Sequence, residues 1–126
     1  MIRSITAAAI LALAAQGALA TEPFEGIWAQ TKKECRDKEG PNSRTLIDLK
    51  GKEDGKAAPL FDQYEHHCRI EKTDRAGATV KLSLVCYEFW DDYRADKDSR
   101  RESVALASLG KSRLKMDGKS YVRCRD

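Results

Sequence analysis

The stretch "YEHHCRIEKTDRAGATVKLSLVCYEF", Tyr64 to Phe89, decides the fold. Its middle, "DRAGA", is a turn signal between two runs rich in residues that favour strands. Pairing the runs about a loop centred near Gly77 sets Cys68 opposite Cys86, Ile70 opposite Leu84 and His66 opposite Glu88. One face of this hairpin then carries Cys68, Ile70, Leu82, Leu84 and Cys86. A slip of one residue would turn every apolar side chain to the wrong side, so the pattern specifies the register. The expectation is a long antiparallel hairpin with one buried face and a disulfide across its base.

His66 and His67 are the only two histidines. Neighbours on a strand point to opposite faces, so the two rings cannot share one metal without a bulge. His66 and Cys68 share a face, but an oxidised sulfur is not a thiolate ligand. No metal is expected, and His66 with Glu88 reads as an ordinary cross-strand contact.

Outward from the hairpin the apolar runs stay strand-length. "GIWAQT" (Gly26 to Thr31) and "RTLIDL" (Arg44 to Leu49) precede it, the second alternating Thr45, Ile47 and Leu49 against Leu46 and Asp48. Between them and the hairpin, "KGKEDGKAAP" (Lys50 to Pro59) has nothing that packs and reads as a loop. "RADKDSRRES" (Arg94 to Ser103) reads as a solvated loop or a short helical excursion, and "SVALASL" as a further strand. "RLKMDGKSYVRC" reads as a terminal hairpin. A three-residue loop, Asp117 to Lys119, would place Leu114 and Met116 with Val122 and Cys124 and is preferred over a two-residue turn that pairs Leu114 with Tyr121. With about six to eight short strands and no amphipathic helix, the fold class is all-β, a small antiparallel barrel or sandwich.

The N-terminus, "MIRSITAAAILALAAQGALA", has the cation, apolar run and small-residue end of a secretory signal peptide, cleaved after Ala20. Its apolar run is shorter than the roughly 20 residues of a membrane span, so no membrane insertion is expected after cleavage. Removing 20 of the 126 residues leaves 106, one domain over 21–126. Of 23 cations only Arg3 is lost, leaving 22 against 20 acids, a balance that argues against nucleic-acid binding. The four cysteines are Cys35, Cys68, Cys86 and Cys124. An even number behind a leader reads as two disulfides made in an oxidising compartment, periplasmic or extracellular, with three connectivities possible. If Cys68 meets Cys86, Cys35 is left for Cys124.

Catalytic patterns are missing: there is no Gly-x-Ser-x-Gly elbow, no phosphate-binding glycine loop and no Cys-x-x-Cys, so neither an enzyme nor a cofactor is expected. The most unusual feature is "CYEFWDDY", with Tyr87, Phe89, Trp90 and Tyr93 in one short stretch. On a continuing strand, Tyr87 and Phe89 would face away from Cys86 and Trp90 toward it. If the Cys86 face is interior, the outward aromatics are candidate contacts for a partner; the other possibility is that both faces are covered.

Together "GIWAQTKKEC", the paired "HC", "VCYEFW" and "LKMDGKSYVRC" resemble small secreted four-cysteine proteins of Gram-negative bacteria, most of them of unknown function. The chain is also similar to the periplasmic β-barrel inhibitors of proteases and lysozymes. Gly26 and Trp28 match their Gly-x-Trp start, and Lys119, Ser120 and Tyr121 resemble the Ser-Gly-x-x-Tyr loop of the lysozyme inhibitors, although Asp117 stands where that loop has serine. The resemblance implies a monomeric, non-enzymatic secreted protein that binds a protein partner, a hydrolase in the inhibitors' case. The alternative is a lipocalin-like carrier with an apolar cavity lined by Trp28, Leu82 and Leu84.

Overall fold

A computed structural model describes residues 23–40 and 42–125. The expected signal peptide, residues 1–20, lies outside the described residues. The elements are β1 (Gly26–Ala29), a 3-10 turn (Glu34–Arg36), β2 (Thr45–Asp48), β3 (Lys52–Glu53), β4 (Lys56–Ala57), β5 (Leu60–Gln63), β6 (His66–Ala76), β7 (Thr79–Tyr87), α1 (Trp90–Ala95), β8 (Arg100–Ser108), β9 (Arg113–Met116) and β10 (Lys119–Arg123). Eight strands close into an antiparallel barrel in the order β1-β10-β9-β8-β7-β6-β5-β2, and β3 and β4 form a separate ribbon. Closure leaves no free sheet edge on the barrel.

The β6–β7 hairpin has the register its sequence implies: His67 pairs with Tyr87, Cys68 with Cys86 and Ile70 with Leu84. A bulge at Glu71 then shifts the pairing so that Lys72 meets Ser83. The inward face carries Cys68, Ile70, Val80, Leu82, Leu84 and Cys86, packed with Trp28, Ile47, Phe61, Leu106 and Leu114 into one core. β2 alternates as expected, with Thr45 and Ile47 buried. Both disulfides form, Cys68–Cys86 across the hairpin and Cys35–Cys124 between the 3-10 turn and the end of β10. Two such bridges place the folded chain in an oxidising compartment.

Three local expectations are corrected, and a segment without an expectation proves to be a strand. The 50–59 segment is not a plain loop: Asp54 and Gly55, both at positive φ, make the two-residue turn of the β3–β4 ribbon. The chain from Leu60 to Gln63, unassigned in the sequence, is β5 and pairs with both β2 and β6. β8 begins at Arg100 rather than after the charged run, because β7 offers backbone partners along its whole length, down to Cys86 opposite Arg100. The terminal hairpin turns on two residues, Asp117 (φ 48°) and Gly118 (φ 81°), and Leu114 pairs with Tyr121. Tyr121 packs against the core, while Arg123 lies over the ring of buried Trp28. The three-residue alternative assumed that Val122 was the residue facing inward.

Arg123 closes one end of the barrel. Its guanidinium carbon sits 4.3 Å from the centre of the Trp28 ring. Its nitrogens donate to the carbonyls of Glu25 (2.6 Å), Pro23 (2.8 Å) and Lys111 (2.6 Å). The Trp28 indole N–H donates to the Phe24 carbonyl at 2.9 Å. The connections β1–β2, β5–β6, β7–β8 and β9–β10 gather at the opposite end.

Candidate functional site

This opposite end holds both histidines, and the backbone alternation separates them. His66 points into the mouth of the barrel. Its Nδ1 lies 2.9 Å from Gln63 Oε1, and Gln63 Nε2 donates to the buried Thr45 hydroxyl at 2.9 Å. Its Nε2 lies 2.5 Å from Glu102 Oε2. The contact with Glu88 is therefore replaced: β6 and β7 stop pairing at Tyr87, and the residue facing His66 across the mouth comes from β8. A small cavity of about 190 Å³ opens here, lined by His66, Glu102, Phe61, Met116, Lys119 and Tyr121 among others.

His67 points outward. Its Nδ1 lies 2.5 Å from Asp62 Oδ1, and its ring stacks on Trp90 with centroids 3.9 Å apart. Trp90 is not on a strand: β7 ends at Tyr87 and the chain turns at Phe89 into α1. α1 lies outside the barrel and makes a second small core, in which Tyr93 packs edge-on to Tyr87 (5.5 Å) beside Val85 and Leu60. Tyr87 thus faces away from Cys86 as expected but is 0% exposed, and Tyr93 is 5% exposed. Neither is available as a surface contact. Phe89 (54% exposed) and Trp90 (37%) are, and Tyr64 (45%), which the sequence reading did not single out, joins them. Tyr64 occupies the two-residue turn between β5 and β6, and its exposure follows from that turn alone.

A latch holds α1 in place. Arg69 donates to the Tyr87 hydroxyl (2.8 Å) and to Asp96 (3.2 Å), and the Tyr87 hydroxyl donates to the same Asp96 carboxylate. Burial, aided by the Asp96 bond and opposed by Arg69, pushes the Tyr87 hydroxyl up to about 12. The bond from Tyr87, helped by Arg69 against partial desolvation, holds the Asp96 carboxyl below the usual carboxylate range. Burial also raises Tyr93.

Between α1, β2, β5 and the residues Lys38, Glu39, Ser43 and Arg44 runs a groove of about 410 Å³, lined also by Trp90, Tyr64, His67 and Asp62. Lys119 and Ser120 are exposed and Tyr121 is half-buried, at the barrel mouth. Gln63 borders both spaces. The fold therefore brings Phe89, Trp90, Lys119, Ser120 and Tyr121 to one end and removes Tyr87 and Tyr93 from the set. Of the four cysteines none is free, so all serve as structural bridges. Among the described residues no helix is long and apolar enough to cross a membrane. Compared with protein families, curated proteins and solved structures, the chain matches none.

Proposed function

We propose that the protein is exported through its N-terminal leader and acts without catalysis, binding a protein partner, in particular a secreted hydrolase, through the open end of the barrel. One observation carries this reading: Tyr64 and Trp90 line a groove, and Phe89 is exposed next to Trp90 in the chain, at the same end as the Lys119–Tyr121 segment. Exposed aromatic side chains on a rigid support are the residues on which binding energy concentrates. The support here is rigid, since His67, Asp62 and the Arg69–Tyr87–Asp96 latch fix the Trp90 helix before any partner arrives. Such preorganisation lowers the entropic cost of association.

The carrier reading has less support. It needs an interior cavity, yet Trp28, Ile47, Leu82, Leu106 and Leu114 fill the barrel and are each at most 1% exposed. The mouth cavity of about 190 Å³ is below the roughly 300 Å³ at which small-molecule pockets begin.

The test is inhibition of a panel of secreted muramidases and metalloproteases by the leader-free protein, with calorimetry on any enzyme inhibited. The expected result is a one-to-one complex that Phe89→Ala and Lys119→Ala each weaken by about tenfold or more, as hot-spot truncations do, with unfolding midpoints unchanged. Failure to bind any of them, or affinities untouched by both substitutions, would sink the reading.

A further inference from the structure

His66 Nε2, the sulfurs of Cys68 and Cys86, and a carboxylate oxygen of Glu102 all lie within 4.8 Å of one another. The two sulfurs are bonded to each other and supply no thiolate, so the oxidised protein has no metal site there. We propose that opening the Cys68–Cys86 bridge converts this cluster into a Zn2+ site with two thiolates, one imidazole and one carboxylate. A dithiol transfers two electrons and two protons to the bridge and becomes a disulfide itself, leaving two thiols. Zn2+ then displaces both thiol protons, while neutral His66 supplies Nε2 and Glu102 supplies its carboxylate.

Four observations carry this. The donors match zinc in kind and number, two sulfurs, one nitrogen and one oxygen for a four-coordinate ion. One sulfur–nitrogen spacing already matches: bonds of about 2.3 Å to sulfur and about 2.0 Å to nitrogen put those atoms roughly 3.5 Å apart in a tetrahedron, and Cys68 Sγ lies 3.6 Å from His66 Nε2. The two sulfurs, bonded to each other in the oxidised protein, and the Glu102 carboxylate, 2.5 Å from Nε2, must draw apart to admit the ion. Gln63 Oε1 engages Nδ1 of His66, the outer partner that zinc-bound histidines commonly have, which leaves Nε2 as the ligand nitrogen. Finally, the sulfurs are buried, but the His66 and Glu102 side chains are 23% and 40% exposed at the barrel mouth, which gives the ion a way in. The ligands come from β6, β7 and β8, whose pairing of Cys68 with Cys86 and Leu84 with Glu102 holds them in place. Bound zinc would tie β6 to β7, as the disulfide does, and β8 as well.

The experiment reduces the leader-free protein with a phosphine, removes the reductant without oxygen, and titrates with Co2+ and then Zn2+. The expected result is one Co2+ per chain with thiolate charge-transfer and tetrahedral absorption bands, both removed by Zn2+, and none in oxidised protein. Zn2+ should protect Cys68 and Cys86 from alkylation and leave Cys35 and Cys124 reactive. His66→Ala and Glu102→Gln should each weaken Zn2+ binding by about tenfold or more in competition with a chromophoric chelator. If reduction abolishes the near-ultraviolet circular dichroism, Zn2+ should restore it. Absence of the bands, protection of Cys35 and Cys124 instead, unchanged affinity in both variants, or no restoration by Zn2+ would overturn the proposal.

Discussion

A Cβ at Gly26 would collide with the Arg123 guanidinium and force the arginine off its carbonyl partners, and the φ of +130° is one that residues with a side chain rarely adopt. The glycine of Gly-x-Trp is thus the seat of an arginine that bonds a carbonyl 98 residues away in sequence. Gly26→Ala should lose at least ~1–3 kcal/mol from backbone strain, read by urea unfolding. Arg123→Ala should cost ~2–4 kcal/mol, since three carbonyls lose charged donors and Trp28 loses its cation. Arg123→Lys should recover little, because a single ammonium cannot reproduce the planar fork. The double variant of Gly26 and Arg123 should cost less than the sum of the singles, since both act on one contact. Tyr87 carries a pH signature. Its folded pKa, about 12, is above the ordinary 10.0, so its contribution is intact below pH 10 and lost as pH rises from 10 to 12. Stability should fall in that window, and Tyr87→Phe should flatten the fall while costing ~1–2 kcal/mol at neutral pH through the lost bond to Asp96. Asp96 acts in the opposite sense, helping above its unfolded pKa and ceasing to help as pH drops through its lowered folded value.

At the scale of elements, α1 has six residues and its Phe89 cap makes no side-chain bond, so local propensity cannot sustain it. Tertiary contact does: Tyr93 is buried against Tyr87, and Asp96 takes the left-handed turn that ends the helix (φ 52°). Tyr93→Ala should therefore cost ~3–5 kcal/mol, as truncation of a buried aromatic does, and should release amides 90–96 to fast hydrogen exchange while those of β6 and β7 stay protected. Slow exchange of 90–96 in that variant would show that α1 does not depend on the second core. The hairpins divide instructively. β6 and β7 were legible because their alternation is long and their cysteines face each other. The β9–β10 turn was misread because the choice rested on which residues of β10 are apolar, whereas the inward positions are held by Tyr121 and Arg123, whose polar ends reach bonding partners at the two ends of the barrel. β5 escaped notice because four residues between a proline and a turn carry too little pattern.

For the whole molecule the two bridges should contribute unequally. They close separations of 89 and 18 residues, and loop-closure entropy alone gives ~4.6 and ~3 kcal/mol. Replacing Cys35 and Cys124 by alanine should lower the unfolding free energy more than replacing Cys68 and Cys86; the reverse order would mean that packing around the buried Cys68–Cys86 pair outweighs chain entropy. The sequence by itself determined the all-β class, the central register from Cys68–Cys86 to Ile70–Leu84 and the Cys68–Cys86 pairing, because period-two alternation and turn residues are local properties of the chain. The bulge that moves the pairs beyond Glu71 by one residue has no such local mark. It also placed His66 and His67 on opposite faces. What the tertiary structure decided was closure into a barrel rather than a sandwich, the burial of Tyr87 and Tyr93 under α1, and the partners of each histidine, Glu102 for His66 and Asp62 with Trp90 for His67. These depend on which strands become neighbours when the sheet closes. That outcome is set by packing between segments far apart in the chain, on which no local pattern bears.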